Sequence, residues 1–362
     1  MRDRFRALDV FRGYTVAAMI LVNTPGSWSH VYAPLRHAPW HGWTPTDLIF
    51  PYFLFIVGAA MYFSLHRLSG HLSPALVKKI VVRGSLIFLI GLLLNALPFQ
   101  EPLSNLRIMG VLQRIGLVYI GAALIVISCG QTARALVAAG LLLGYWGGLY
   151  AGGGYDLLTN PARALDLAVL GESHMWKLDG VAFDPEGLLS TLPALVTTLI
   201  GYEITRVLCR DPNPYRRVKI LCGAGAGLVL AGLIWHLWLP INKSLWTPSF
   251  VLLSGGMAML TLAVCIAVAD LKPIAAVTFP GEVFGLNPLF IYALSWVWVG
   301  SYWVIQVNDG AGGVINGHTA LYQWFLQGLS PINASLAFAL AHITLFWGIA
   351  WVLFKRNIII KL

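Results

Sequence analysis

The sequence predicts an all-α, polytopic integral membrane protein with about ten transmembrane helices and with both termini in the cytoplasm. Three observations support this fold class. Of the 362 residues, 58% are hydrophobic and 11% are charged, whereas a soluble domain carries about 25% charged residues. Apolar runs of about 20 residues recur along the chain, and each is long enough to cross a hydrocarbon core of about 30 Å. Lys and Arg cluster in short segments between those runs, as in cytoplasmic loops.

Ten apolar segments predict the spanning helices, because backbone groups inside a bilayer must pair within their own segment. They lie near residues 9–25, 46–66, 78–97, 108–128, 133–151, 187–207, 218–239, 248–269, 284–305 and 333–354. The stretch around the ninth segment is interrupted by Pro280 and Pro288. A further helix is predicted over 318–328 and is too short to span. We expect the whole chain, 1–362, to form a single transmembrane domain.

The distribution of Lys and Arg predicts the orientation. With the N-terminus inside, eighteen of the 24 Lys and Arg residues fall on the cytoplasmic side. An odd number of helices would place the cluster of Lys355, Arg356 and Lys361 outside, so an even number is favoured. Two long loops, at about 24–46 and 152–186, then face outward, and loops of this length are usually functional or disordered. We therefore expect the substrate to bind on the outer face.

Composition also bears on partners and metals. The net charge of +9 does not indicate a nucleic-acid partner, because the basic residues lie in these short loops between apolar runs. The composition predicts membrane lipids as partners. The four cysteines, Cys129, Cys209, Cys222 and Cys265, show no metal-ligand spacing, so no metal is expected.

The first outer loop carries three histidines, His30, His37 and His41, ahead of Asp47 at the start of the second helix. Histidine suits proton transfer near neutral pH. A carboxylate bonded to one ring nitrogen would fix the tautomer, and Asp47 is placed to serve one of the three. The alternative is interfacial: Trp and His are common at the membrane boundary, and Asp47 caps a helix. The residue types alone leave both open.

Polar side chains at or inside the predicted helices form the second group of candidates. The amide of Asn23 either donates to a developing oxyanion or ends helix 1 before Pro25. Arg12 shares a helix face with Asp9, which suits either a structural ion pair or a phosphate site. Arg114, in RIMGVLQR, should face the bundle interior or a cavity.

Several segments together resemble one family. The strings RALDVFRG, LVN, RHAPWHGWTPTDLIFPYFLFIVG, RIMGVLQRIGLVY, FDPEGLLSTLPA, NKSLWTPSFVL and FGLNPLFIY look like blocks of the heparan-α-glucosaminide N-acetyltransferase family. Its bacterial members are often called NagX-like proteins. The resemblance covers nearly the whole chain. The pattern HAxWxGxTxxDLxFP is specific, whereas LDxxRG is shared with other transmembrane acyltransferases.

The resemblance implies a transferase that moves an acetyl group from cytoplasmic acetyl-CoA to a glucosamine amine across the membrane. The family's catalytic histidine falls on His37, and its asparagine at the end of helix 1 falls on Asn23. It further implies a homodimer, and a bacterial member would lie in the cytoplasmic (inner) membrane. Because the chain begins directly at helix 1, we expect the acceptor to be glucosamine, a chitin fragment or a wall-derived amino sugar.

These considerations define the expected site. His37 is the general base, Asp47 orients it, and Asn23 stabilises the oxyanion. An acetyl-histidine intermediate is the other route. Four side chains are expected to bind acetyl-CoA, namely Arg12, Arg83, Gln113 and Arg114. The acceptor is expected to contact Trp40, Asp184, Glu186, Lys243, Trp246 and Asn287. The last three lie at helix ends, where such residues more often have a structural role than a catalytic one.

Two other functions stay open. A transporter for N-acetylglucosamine or a related sugar would suit ten helices with a polar core. It should show an inverted repeat of broken helices, and none is evident in the sequence. A membrane scaffold that has lost activity is the third possibility, and it would not bind acetyl-CoA.

Overall fold

A computed structural model describes residues 5–68, 70–100, 102–308 and 313–360, so that Lys361 lies outside the described residues. The described residues form thirteen α-helices. They are α1 (Arg6–Asn23), α2 (Ile49–Leu65), α3 (Pro74–Ala96), α4 (Val111–Ser128), α5 (Gln131–Ala151), α6 (Pro161–Leu170), α7 (Thr191–Leu208), α8 (Pro214–Trp235), α9 (Pro248–Ile266), α10 (Ala275–Gly285), α11 (Pro288–Val304), α12 (Gly317–Leu326) and α13 (Pro331–Lys355). Two antiparallel hairpins complete the fold, β1–β2 (Lys177–Leu178 and Val181–Ala182) and β3–β4 (Gln306–Asn308 and Val314–Asn316).

The all-α membrane class is confirmed. Each of the ten long segments predicted as helical overlaps one of these helices over most of its length, and the short helix predicted over 318–328 corresponds to α12. Among the described residues, five helical stretches are both long and apolar enough to cross a membrane, and the bent pair α10–α11 would make a sixth. The five are Pro45–Leu68, Val111–Ser128, Pro214–Trp235, Pro248–Leu271 and Pro331–Lys355. The count of ten spans stays a prediction.

The ninth predicted helix begins late, and a separate helix precedes it. α10 ends at Gly285, α11 begins at Pro288, and the two axes differ by 75°. Pro288 occupies the first turn of α11, where its missing N–H costs nothing. The residue before a proline avoids the α conformation, and Asn287 accordingly has φ −128° and ψ 53°. This local backbone preference accounts for the break.

Glycines bring the central helices into close contact. A Cβ placed on Gly58 of α2 would lie 1.8 Å from the carbonyl oxygen of Thr198 in α7, and one on Gly201 would lie 2.0 Å from that of Phe55. Small residues permit this backbone approach between membrane helices. Trp246, Phe250 and other buried side chains fill the core between α2, α7 and α9.

The predicted outer loop 152–186 contains ordered structure. α6 begins behind an Asn160 side chain that caps the N–H of Arg163, with Pro161 in the first turn. The β1–β2 hairpin turns at Asp179 and Gly180, which both have positive φ, 48° and 81°. An Asp-Gly pair with positive φ at both positions is typical of a tight two-residue hairpin. This folded segment packs against the loop 24–46.

Candidate active site

A hydrogen-bonded pair of His37 and Asp47 lies at the start of α2. Of the three loop histidines, the structure brings His37 to Asp47, with 2.6 Å between Nδ1 and Oδ1. Asp47 belongs to a short 3₁₀ helix, Pro45–Leu48, directly before α2, and is 1% exposed. Its other oxygen, Oδ2, accepts the backbone N–H groups of Ala38 (3.1 Å) and Thr44 (2.9 Å) and the Thr44 hydroxyl (3.2 Å). The carboxylate is therefore held by donors on both oxygens.

This arrangement determines which ring nitrogen of His37 carries the proton. An ionised carboxylate only accepts hydrogen bonds, so Nδ1 carries the proton that points to Asp47. Nε2 then keeps the free lone pair. The His37 side chain is 48% exposed, whereas that of Asp47 is 1% exposed. A buried acid that orients a half-exposed imidazole is the geometry of a general base.

Lys243 is the third member of this cluster. Its Nζ lies 3.3 Å from Nδ1 of His37 and 3.9 Å from Oδ1 of Asp47. Burial lowers the pKa of Lys243 below its ordinary value, although Glu186 and Asp47 favour its charged form. Lys243 lies in a turn that ends at Trp246. The backbone N–H of Trp246 donates to the Lys243 carbonyl at 3.0 Å, and Trp246 has a positive φ of 53°. The amine of Lys243 thus lies beside both the imidazole and the carboxylate.

Two loops that are distant in sequence are joined next to this cluster. The N–H of Gly42 donates to the carbonyl of Ile241 at 2.7 Å. The buried amide of Asn242 lies 3.3 Å from Nδ1 of His41, and its oxygen accepts the N–H of Leu245 at 2.8 Å. His41 therefore anchors the loop 24–46 to the α8–α9 connection.

Trp246 and Trp40, both predicted to bind the acceptor, make structural contacts. Trp246 is fully buried, and its indole N–H donates to the Thr197 hydroxyl at 3.1 Å. The indole N–H of Trp40 donates to the carbonyl of Tyr155 at 2.9 Å, and its ring packs edge-on against Phe183 at 5.1 Å. Trp40 thus ties the two outer loops together while remaining partly exposed.

Asp184 and Glu186, both predicted to bind the acceptor, form ion pairs with Arg107. Its Nε and Nη2 donate to the two oxygens of Asp184 at 2.9 and 2.7 Å, and Nη2 also donates to Glu186 at 2.6 Å. Burial opposes the charge on Arg107, but the two carboxylates raise its pKa above the ordinary value. Burial likewise opposes the charge on Asp184, yet Arg107 holds the pKa of that carboxyl below its usual range. Because Arg107 bridges them, Asp184 and Glu186 belong to one ionic cluster.

Arg114 and Gln113, predicted to bind acetyl-CoA, lie buried at the start of α4. Nη2 of Arg114 donates to the carbonyl of Gly187 at 3.0 Å and to the Ser190 hydroxyl, and its guanidinium lies 5.2 Å from the Trp246 ring centre. Within the described parts of the chain, Nε and Nη1 of Arg114 and Nε2 of Gln113 have no hydrogen-bond partner. These buried donors could serve a bound water or ligand group.

The remaining predicted residues lie apart from this cluster. Nη1 of Arg12 donates to Asp9 at 3.1 Å and to the Gly285 carbonyl at 3.2 Å, which links α1 to α10. Arg83 lies over the ring of Tyr119 at 5.0 Å, between α3 and α4.

Asn287 and Asn23 lie at opposite ends of the bundle along α1. The amide of Asn287 bonds the backbone of Ile358 (2.9 Å) and Ile360 (2.8 Å), which fixes the C-terminal segment near the Asp9 end of α1. Asn23 is exposed at the other end of α1, and its side chain has no hydrogen bond to another described residue. Asn23 is therefore accessible on the side where α1 leads into the loop of His37.

Two contacts of this site escape sequence reasoning. Lys243 and His37 are 206 residues apart, and Arg107 and Asp184 are 77 residues apart. The opposite charges of Arg107 and Asp184 are the available signal for that pair, and one sequence does not say which charges meet. Lys243 beside a histidine gives no such signal.

Comparisons with known proteins point to one family. Residues 4–225 match the family profile described as "Heparan-alpha-glucosaminide N-acetyltransferase, catalytic". The chain is 29% identical over 351 residues to the protein named heparan-alpha-glucosaminide N-acetyltransferase from Homo sapiens, covering 80% of this chain and 52% of that protein. It is 28% identical over 352 residues to the protein of the same name from Mus musculus, covering 80% and 53%. The chain thus spans about half the length of the curated relatives it matches.

Proposed function

Because this chain belongs to the heparan-alpha-glucosaminide N-acetyltransferase family, we propose that it is an N-acetyltransferase that acts across a membrane. The donor is acetyl-CoA, and the acceptor is the amine of a glucosamine-type amino sugar. The observation that carries the proposal is the pair of His37 and Asp47. It lies inside the matched residues and joins a buried carboxylate to a half-exposed imidazole at 2.6 Å.

His37 acts as the general base in this reaction. Nε2 removes a proton from the acceptor ammonium, and the resulting amine attacks the thioester carbonyl carbon. The carbon–sulfur bond then breaks, and coenzyme A leaves as the thiol after its sulfur takes the second proton from the nitrogen. Asp47 keeps Nδ1 protonated and so holds the lone pair on Nε2. Asn23, exposed at the end of α1, donates its amide N–H to the oxyanion that forms at the carbonyl.

The sidedness of the reaction follows from the positions of Lys and Arg. We place both termini and the acetyl-CoA supply in the cytoplasm, with His37 on the outer side, in a single domain that crosses the bilayer ten times as a homodimer. In a bacterium the membrane is the inner one. Arg12, Arg83, Gln113 and Arg114 are the proposed donor-binding residues. Nε and Nη1 of the buried Arg114, to which no described residue offers a hydrogen bond, support its part in this.

Replacement of His37 tests the proposal. His37→Ala should keep the fold and lose transfer by about 10²–10⁴-fold, because general-base catalysis typically contributes that factor. The matched control is His30→Ala in the same loop. The His30 side chain is exposed, and its ring nitrogen lies 3.4 Å from the Ser27 hydroxyl, so this variant should retain activity. Purified proteins with acetyl-CoA and glucosamine provide the assay. Equal turnover by His37→Ala and the unaltered protein would overturn the assignment.

A sugar transporter is the second candidate, and one observation favours it. The 75° break between α10 and α11 resembles the interrupted helices of transporters. Elsewhere in the described chain, no second helix pair with such a break passes the same length and composition test, whereas an inverted repeat would require two. Uptake of N-acetylglucosamine into vesicles that contain no acetyl-CoA would favour the transporter.

A further inference from the structure

A cavity of about 490 Å³ lies at the connection between α7 and α8. Three arginines line it: Arg206 near the end of α7, Arg210 just after that helix, and Arg216 in the first turn of α8. Gln131, the first residue of α5, also lines it. Among the described lining residues Asp211 is the only acid, so the cavity carries a net positive charge.

The walls of this cavity are held by the protein's own contacts. Glu203 of α7 accepts Nε of Arg134 at 2.5 Å and Nε of Arg206 at 2.6 Å, which ties α5 to α7. Nε of Arg217 in α8 donates to the carbonyl of Asp211 at 2.6 Å, which fixes the short connection that follows α7. The positions from which the lining side chains extend are therefore set by the fold.

Two of the three arginines have their charge available. The side chains of Arg210 and Arg216 are exposed, and neither makes a hydrogen bond or an ion pair with another residue that the structure describes. The carboxylate of Asp211 accepts the backbone N–H of Asn213 at 2.8 Å and pairs with neither arginine. A guanidinium group presents a planar fork of donors that matches phosphate. The cavity therefore offers two guanidinium groups to an anion.

The cavity lies at the boundary of the membrane. α8 is one of the helices long and apolar enough to cross a bilayer, so its first turn lies at the level of the lipid headgroups. Tyr215 in that turn is 63% exposed, and exposed tyrosines are common at this boundary. The predicted orientation places this end of α8 at the cytoplasmic leaflet, which contains anionic lipids.

An open apolar face of α8 continues from the cavity. Ile220 lines the cavity, and Gly223 and Gly227 follow three and seven residues later, on the same side of the helix. A Cβ at either glycine would meet open space among the described residues. This face leaves room for an acyl chain that runs from the headgroup level into the hydrocarbon layer.

We propose that this cavity binds an anionic phospholipid. Arg210 and Arg216 donate to the phosphate, and an acyl chain lies against the face of Ile220, Gly223 and Gly227. A headgroup with a net negative charge, such as that of phosphatidylglycerol, is preferred, because the amine or choline of a zwitterionic lipid would meet the arginines. The inference is independent of the proposed acetyl transfer.

Two other ligand classes fit less well. A sugar ring needs an aromatic surface on which to pack, and none of the described residues that line the cavity is aromatic. A soluble phosphate would use the arginines but not the apolar face that continues from Ile220. A lipid matches the charge, the depth and the apolar face together.

Lipid titration of the purified full chain in detergent tests the site. Native mass spectrometry measures the affinity for phosphatidylglycerol and for phosphatidylcholine with the same acyl chains. The unaltered protein should bind phosphatidylglycerol more tightly. Replacing both Arg210→Gln and Arg216→Gln should weaken this binding about 25-fold, since each basic residue beside an anionic lipid contributes about fivefold. Each single exchange should therefore cost about fivefold, which also covers the case that the double variant does not fold.

Two further double variants separate a phosphate site from general surface charge. Replacing both arginines by lysine, Arg210→Lys with Arg216→Lys, keeps the charge but removes the planar fork, so binding should fall between that of the unaltered protein and that of the glutamine variant. The control is Lys78→Gln with Lys79→Gln, which removes two exposed cations from the start of α3. It should leave the affinity unchanged.

Three results would overturn the inference. If the lysine control weakens binding as much as the arginine exchange, or if phosphatidylcholine binds as tightly as phosphatidylglycerol, the attraction belongs to the surface and not to this cavity. If inorganic phosphate competes for the cavity as well as phosphatidylglycerol does, its ligand is a soluble phosphate. If the arginine exchange raises the KM for acetyl-CoA in vesicles of phosphatidylcholine alone, the cavity belongs to the donor. Because binding needs no turnover, His37→Ala should bind the lipid like the unaltered protein, so failure of the acetyl transfer would leave this result standing.

Discussion

Exchange of Asp47 for asparagine should invert the tautomer of His37 without changing the shape of the site. Two backbone N–H groups, from Ala38 and Thr44, point at Oδ2 of Asp47 at 3.1 and 2.9 Å. An asparagine must place its carbonyl oxygen there, since its NH₂ group would meet two donors. The NH₂ group then takes the place of Oδ1 and donates to Nδ1 of His37. Nδ1 becomes the acceptor, and the proton moves to Nε2.

The expected loss follows from this geometry. With its proton on Nε2, the imidazole has no lone pair to offer to the acceptor ammonium, so the general-base contribution of about 10²–10⁴ in rate is lost. In serine proteases the equivalent change costs about 10⁴, for the same tautomeric reason. The fold should persist, because the introduced amide oxygen would keep both backbone hydrogen bonds. The assay is the initial rate of acetyl transfer to glucosamine by purified protein in lipid vesicles, with thermal unfolding measured in parallel.

The control for this exchange is Asp179→Asn. Asp179 occupies the turn of the β1–β2 hairpin with φ 48°, a conformation that asparagine also tolerates. This variant should retain full turnover. A neutral change is expected to alter the rate by no more than about threefold. If the rate of Asp47→Asn stays within that range of the unaltered protein, Asp47 does not set the tautomer of His37, and the assignment of His37 as the base loses its main support.

Two further predictions concern stability. Burial raises the pKa of Asp166 to about 6, so the folded protein binds this proton more tightly than the unfolded chain does, and the free energy of unfolding should fall by about 3 kcal/mol at most as pH rises from about 4 through 6. Asp166→Asn should remove this fall, so that the unfolding temperature depends less on pH over that range. An unchanged pH dependence of the unfolding temperature would contradict the prediction. Gly58→Ala should lower the unfolding temperature or prevent folding, because the added Cβ would lie 1.8 Å from the Thr198 carbonyl oxygen. The control is Gly144→Ala, whose Cβ would meet open space and should leave the unfolding temperature unchanged. Equal effects of the two variants would refute the close approach of α2 and α7.

The helices of this fold could be predicted because apolar run length and proline position are local signals. Of the two prolines predicted to interrupt the ninth segment, Pro288 follows the observed break, whereas Pro280 lies inside α10. The sequence patterns do not predict α6, although Asn160 and Pro161 form a cap and first-turn pair that marks a helix start. Its sequence is amphipathic and short, so it does not stand out within a polar loop.

The site was less predictable because its contacts join distant segments. His37 and Asp47 are ten residues apart on either side of one turn, and that pair could be foreseen as one of three. Lys243 reaches the pair from the α8–α9 connection, and Arg107 neutralises Asp184 from the segment before α4. Such contacts depend on how the helices pack, which local sequence patterns do not specify. Asp184 therefore has the charge expected of a substrate ligand but is committed to an ion pair.

We propose that His37 receives the acceptor on the outer side while the acetyl group arrives from the cytoplasmic side. Vesicles with a single protein orientation, with labelled acetyl-CoA on the cytoplasmic side and a membrane-impermeant glucosaminide on the other, measure this directly. We expect labelled product on the side opposite acetyl-CoA, and its loss in His37→Ala. Product formed solely when both substrates share the cytoplasmic side would contradict transfer across the membrane.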